Sequence, residues 1–132
     1  VFFSALIKDS FTRKMILLYT GTFLFPSFIF EEMQKHKQEL LEKSGMESKH
    51  FELLLTILLQ KVHIVPTDVL HPFAKQAYEI VKDIDPDDTL FIACALVYPE
   101  SVLWSDDKRL KQQTVVPIIN TTEMYHFFSG GV

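Results

Sequence analysis

The apolar positions of this chain fall in two patterns. From residue 29 they return every three or four places: Ile29, Met33, His36 and Leu40 fall in one narrow stripe at ~100° per residue, the mark of an amphipathic helix. Ser27 is its expected N-cap and Ser44-Gly45 its stop, giving a long helix over 27–43. A shorter helix is expected over 12–20, ended near Gly21, and a third, rich in Leu and Ile, over 47–59. Two further helices are expected at 73–82 and from Asp85-Pro86 to about 98, and a closing helix at 122–128. Between them lie short runs of continuous apolar character: 23–25 before Pro26, 61–65 before Pro66, 101–104, and 115–119. Such runs, bounded by turn residues, are expected strands, and 106–110 is a loop or short helix.

Helices that alternate with short apolar strands imply an α/β fold, three-layer α/β/α with a small central parallel sheet. The chain has 132 residues and no repeat or linker, so a single domain over 1–128 is expected, with 129–132 as a flexible tail. In such sheets ligands bind beyond the carboxyl ends of the strands. Acids just after a strand or at a helix start are therefore the ones to weigh.

Composition narrows the class. Apolar residues make up 48% and aromatics 13%, too much for a disordered chain to leave in water. Cys94 is the one cysteine, which excludes an internal disulfide or a cysteine metal site and favours a reducing, cytoplasmic setting. The least charged stretch, 15–30, is broken by Gly21 and Pro26, so no membrane contact is expected. Val1-Phe2-Phe3 is followed by Lys8 and Asp9, without the leader of a secretory signal, and the missing Met suggests residues upstream. A net charge of −4 confines any nucleic-acid contact to a local patch. Lys8, Arg13, Lys14, Lys35, Lys37, Lys108, Arg109 and Lys111 are the candidates, against the commoner role of solvated surface charge.

Three acidic groups fall at ligand-binding places. Glu32 lies about 60° from Ile29 on the border of the apolar stripe, whereas Glu31 points to solvent. Glu32 is the better candidate ligand, although first-turn acids also stabilise the positive end of a helix. Asp85, Asp87 and Asp88 crowd the start of a helix whose remainder, Leu90 to Val97, is apolar all round. An N-cap accounts for Asp85 but not for three acids, because like charges ~4 Å apart repel by several kcal/mol near a protein surface. A cation would relieve them. Asp106 and Asp107 follow the strand at 101–104, where a polar turn and a ligand role stand equally and the strand-end position favours the ligand role. Several carboxylates without His or Cys form a hard donor set suited to Mg²⁺ or Mn²⁺, and two such ions promote phosphodiester hydrolysis.

These segments resemble, in order and spacing, the PIN domains, small metal-dependent ribonucleases that include VapC-type toxins. Phe28-Ile29-Phe30-Glu31-Glu32-Met33 resembles the family's mid-chain Glu segment, with Glu32 at the motif position. Asp88-Thr89-Leu90-Phe91-Ile92-Ala93-Cys94-Ala95 resembles its helix of Asp, apolar residues and Ala-x-Ala, and points to Asp88. Leu103 to Leu110 resembles its strand-end Thr/Ser-x-Asp pattern, pointing to Asp107 with Ser105 as supporting hydroxyl. The resemblance spans nearly the whole chain and implies a PIN-like fold and an RNA-cutting activity. It further implies Glu32, Asp88 and Asp107 as metal ligands, joined by Asp106, with Lys108, Arg109, Lys8 and Arg13 near the nucleic acid. A toxin of this kind is expected to meet a small antitoxin and to form a homodimer. The family also carries a first strand ending in an Asp, and 1–7 resembles the segment just after it, so that strand and its acid are expected upstream of Val1.

His36 is expected as a hydrogen-bonded core histidine, Cys94 as an inert buried thiol, and Trp104 as core rather than a platform for a base. The alternative to an enzyme is a catalytically impaired PIN-like module that binds protein or RNA. A phospho-receiver domain shares the doubly wound fold, but needs a Lys after its last strand, where Ile118-Ile119 is followed by Asn120-Thr121-Thr122.

Overall fold

The computed structural model describes residues 11–130. The expectations for residues 1–7, for Lys8 and for the last two residues lie outside the described residues. The chain divides into two compact units, Val1–Ile64 and Val65–Val132. The division falls inside a strand and not in a linker.

In the first unit, α1 (Phe11–Leu18) leads to β1 (Phe23–Pro26), then α2 (Ile29–Ser44), α3 (Ser48–Leu59) and β2 (Val62–Val65). β1 and β2 form a two-stranded sheet. The apolar stripe of α2 is buried at Ile29, Met33 and Leu40, and α3 buries Phe51 and Leu58. α2 and α3 pack on each other. The helix ends where the sequence placed its stop: Gly45 takes φ 67° and donates its N–H to the Glu42 carbonyl. Its start is a correction. Ser27 does not cap it; the N-cap is Phe28 with no side-chain bond, and the Ser27 carbonyl accepts the Phe30 N–H. His36 also departs from the expected core: its side chain is 40% exposed, reaching toward Glu32 and Glu39.

In the second unit, α4 (Thr67–Leu70) and a 3₁₀ turn (His71–Phe73) precede α5 (Ala74–Val81). A second 3₁₀ turn (Pro86–Asp88) opens α6 (Thr89–Val97), followed by β3 (Leu103–Trp104), a third 3₁₀ turn (Lys108–Gln112), β4 (Ile118–Ile119) and α7 (Thr121–Gly130). β3 and β4 pair in parallel, Leu103 opposite Ile118 and Trp104 opposite Ile119. α5 packs along α6, and Ala77, Val81, Ile92 and Ala93 are wholly buried. Short strands between helices, with parallel pairing, make this an α/β fold.

β4 is shorter than the expected run over 115–119, for a visible reason. The Gln113 amide accepts the N–H groups of Val115 and Val116 and donates to the carbonyls of Val116 and Leu110. Side-chain bonds thus take the backbone groups a ladder would have used. α7 reaches Gly130, so Ser129 and Gly130, expected in the tail, are helical. Among the described residues, no helix is long and apolar enough to cross a membrane.

Candidate metal centre

Asp85 is extended backbone that turns the chain into Pro86–Asp88, and its Oδ1 accepts the Asp87 N–H at 3.0 Å. Pro86 at the first position of that turn donates no N–H and so leaves none to be satisfied. The Thr89 hydroxyl closes the turn onto the Pro86 carbonyl at 2.6 Å. These bonds hold the Asp88 carboxyl at the mouth of α6, where it makes no cap bond of its own. Asp107 arrives from the other side, just beyond β3. Its N–H donates to the Ser105 Oγ at 3.2 Å, and the Ser105 N–H is tied into the sheet at the Ile119 carbonyl, 2.9 Å.

Asp85, Asp88 and Asp107 each place a carboxylate oxygen within 4.8 Å of the other two, and all three are half-buried. With metal–oxygen distances of ~2.1 Å, two donors on one Mg²⁺ lie at most ~4.2 Å apart, so three carboxylates at this spacing fit the ion after a shift below about an ångström. The oxygen-only donor set fits Mg²⁺ or Mn²⁺ chemistry.

The electrostatics of the three acids differ. Burial, and then the negative charges of Asp85, Asp107 and Asp87, push the Asp88 carboxyl up to about 6. Asp107 goes the other way: the Arg109 guanidinium holds it below the ordinary carboxylate range. Arg109 Nε and Nη2 donate to Asp107 Oδ1 and Oδ2 at 3.1 and 2.9 Å, and Nη2 also reaches Asp85 Oδ2 at 3.3 Å.

Of the residues singled out in the sequence, Asp88 and Asp107 come together, with Ser105 supporting Asp107. Asp106 does not join them. Its two oxygens are taken by the Thr121 N–H and hydroxyl, each at 2.7 Å, because successive residues leaving a strand point to opposite sides. Asp85, expected as the N-cap within a crowded acidic group, is both cap and cluster member; the surplus of acids at 85–88 is its signal. Arg109, expected near the nucleic acid, is engaged by Asp107 and Asp85. Lys108 is exposed beside it, and Arg13 is half-buried on α1. Glu32 lies in the first unit, in the first turn of α2, half-exposed with its Oε2 3.6 Å from His36 Nε2. Cys94 is buried and free, its thiol pushed up to about 11 by burial, as an inert side chain would be. The Trp104 indole donates to the Thr121 hydroxyl at 3.0 Å, a structural bond.

The family model of the PIN domain matches residues 1–127. The chain belongs to the PIN domain family, whose members are generally divalent-metal-dependent nucleases. No curated protein and no solved structure is matched.

Proposed function

We propose that this chain is a Mg²⁺- or Mn²⁺-dependent endoribonuclease. One observation carries the proposal: three aspartates from two separated segments converge within 4.8 Å at the mouth of α6, in a chain of a nuclease family. Asp85, Asp88 and Asp107 hold the ion, and Ser105 fixes the loop that carries Asp107. A divalent ion bound there supplies water activation and neutralises charge on the phosphodiester. Lys108, exposed and next in sequence to Asp107, would supply a charge to a phosphate oxygen. The family pattern gives Glu32 a ligand's role as well, which Glu32→Gln tests.

RNA is the substrate that the PIN resemblance favours, and the −4 net charge fits contact through a local patch. A VapC-like toxin role, with a small antitoxin partner, a homodimer and a cytoplasmic setting, extends the same resemblance, and the lone Cys94 suits a reducing compartment.

The test is cleavage of a labelled single-stranded RNA with Mn²⁺ or with EDTA, beside Asp88→Asn and Asp107→Asn. Cutting that needs Mn²⁺ and is lost in both variants supports the nuclease. No cutting, together with no measurable Mn²⁺ binding, overturns it and leaves the PIN-like binding module in front.

A further inference from the structure

The Arg109 guanidinium occupies the same carboxylates that the proposed function assigns to metal. We infer that Arg109 is a tethered cation which competes with divalent metal for Asp107 and Asp85, so that metal loading requires the guanidinium to leave. The inference rests on the metal reading of the site.

The geometry is specific. Both Asp107 oxygens receive a guanidinium hydrogen bond, and the Nη2 that closes the fork also spans to Asp85. Two of the three acids of the cluster are therefore bridged by one positive group. A carboxylate oxygen has lone pairs enough for a guanidinium N–H and an ion, but a 2+ charge ~2.1 Å from that oxygen would face the guanidinium across only a few ångströms. The two cations repel where each is attracted to the same anion. Arg109 can yield: its side chain is 58% exposed, and it sits in a short 3₁₀ turn. Asp88 has no such bond to the guanidinium, and is left as the acid with the greatest need of a cation.

A charge that is always present and tethered two residues from its partner acts as a stand-in for the ion. It limits the mutual repulsion of the acids when metal is absent. Released by metal, the same guanidinium becomes available to a phosphate, the group whose geometry its fork matches.

Mn²⁺ titration calorimetry on the parent chain, Arg109→Gln and Arg109→Lys tests this, alongside thermal unfolding in EDTA. Arg109→Gln is expected to bind Mn²⁺ roughly two- to fivefold more tightly, the range that exposed ion pairs reach, while melting lower than the parent in EDTA. Raising the salt should shrink the difference in affinity. Arg109→Lys, which keeps the charge but loses the fork, is expected between the two and decides the matter if the Gln variant does not fold. A role in framing the metal site would move affinity the opposite way. Equal or weaker Mn²⁺ binding by the variants, with the parent binding normally, overturns the competition alone. No Mn²⁺ binding by any of the three overturns it together with the metal reading.

Discussion

Thr121 gives both its backbone N–H and its hydroxyl to the carboxylate of Asp106, each at 2.7 Å. The same hydroxyl accepts the Trp104 indole N–H, so the end of β3 is tied to the start of α7 by three bonds through one threonine. Asn120 and Glu123 complete that helix start: Asn120 Oδ1 accepts the Glu123 N–H at 2.8 Å, and Glu123 Oε1 accepts the Asn120 N–H at 3.1 Å. Adjacent aspartates thus have separate tasks, Asp106 anchoring a helix and Asp107 facing the acid cluster.

Asp106→Ala should therefore act on stability and not on metal. Losing a carboxylate from a helix start typically costs about 1 kcal/mol. Urea unfolding is expected to show a loss of that order, with Mn²⁺ affinity close to the parent's. A large fall in Mn²⁺ affinity without destabilisation would return Asp106 to the ligand set.

Asp88 makes stability depend on pH in a defined direction. Unfolded, its proton leaves near the ordinary 3.8; folded, it is held until about 6. Between those values the metal-free folded chain binds more protons than the unfolded one, so this group's contribution falls as pH rises through that window. Asp88→Asn removes the charge that burial and its acidic neighbours oppose. The variant is expected to melt higher than the parent in EDTA at neutral pH, and the two should converge below pH 3.8, where Asp88 is protonated in both states. A variant that melts lower at neutral pH would contradict an unfavourably placed carboxylate.

Gly45 ends α2 in the left-handed region at φ 67°, and a Cβ there would meet nothing within 4 Å. The cost of a side chain is then one of backbone conformation alone. Gly45→Ala is expected to destabilise by about 1 kcal/mol in chemical denaturation, without a change in the slope of the transition. No measurable loss would mean that the helix can end in another way.

Much of this architecture was legible because each signal was local. Ser44-Gly45 stops α2 and Asp85-Pro86 starts a helix by chemistry contained in two residues. Ile29, Met33 and Leu40 are buried by the period of the helix that carries them. What escaped depended on partners distant in sequence or on competition. Nothing in the run Val115 to Ile119 shows that the Gln113 side chain will take two of its N–H groups and leave only Ile118 and Ile119 to pair. The division of labour between Asp106 and Asp107 depends on Thr121, fifteen residues from Asp106. Asp85 explains itself as a cap, and only the surplus of acids beside it points to a second role. Arg109 was visible as a basic residue near acids, but its fork onto Asp107 is a matter of side-chain geometry.

The most direct test of the acid cluster is Mn²⁺ binding followed by electron paramagnetic resonance, on the parent chain, Asp88→Asn and Asp106→Asn. Free Mn²⁺ gives a sharp signal that diminishes as the ion is taken up. Uptake by the parent and by Asp106→Asn, with loss in Asp88→Asn, is the expected result. Uptake retained in Asp88→Asn and lost in Asp106→Asn would contradict the assignment of Asp85, Asp88 and Asp107 as the metal centre.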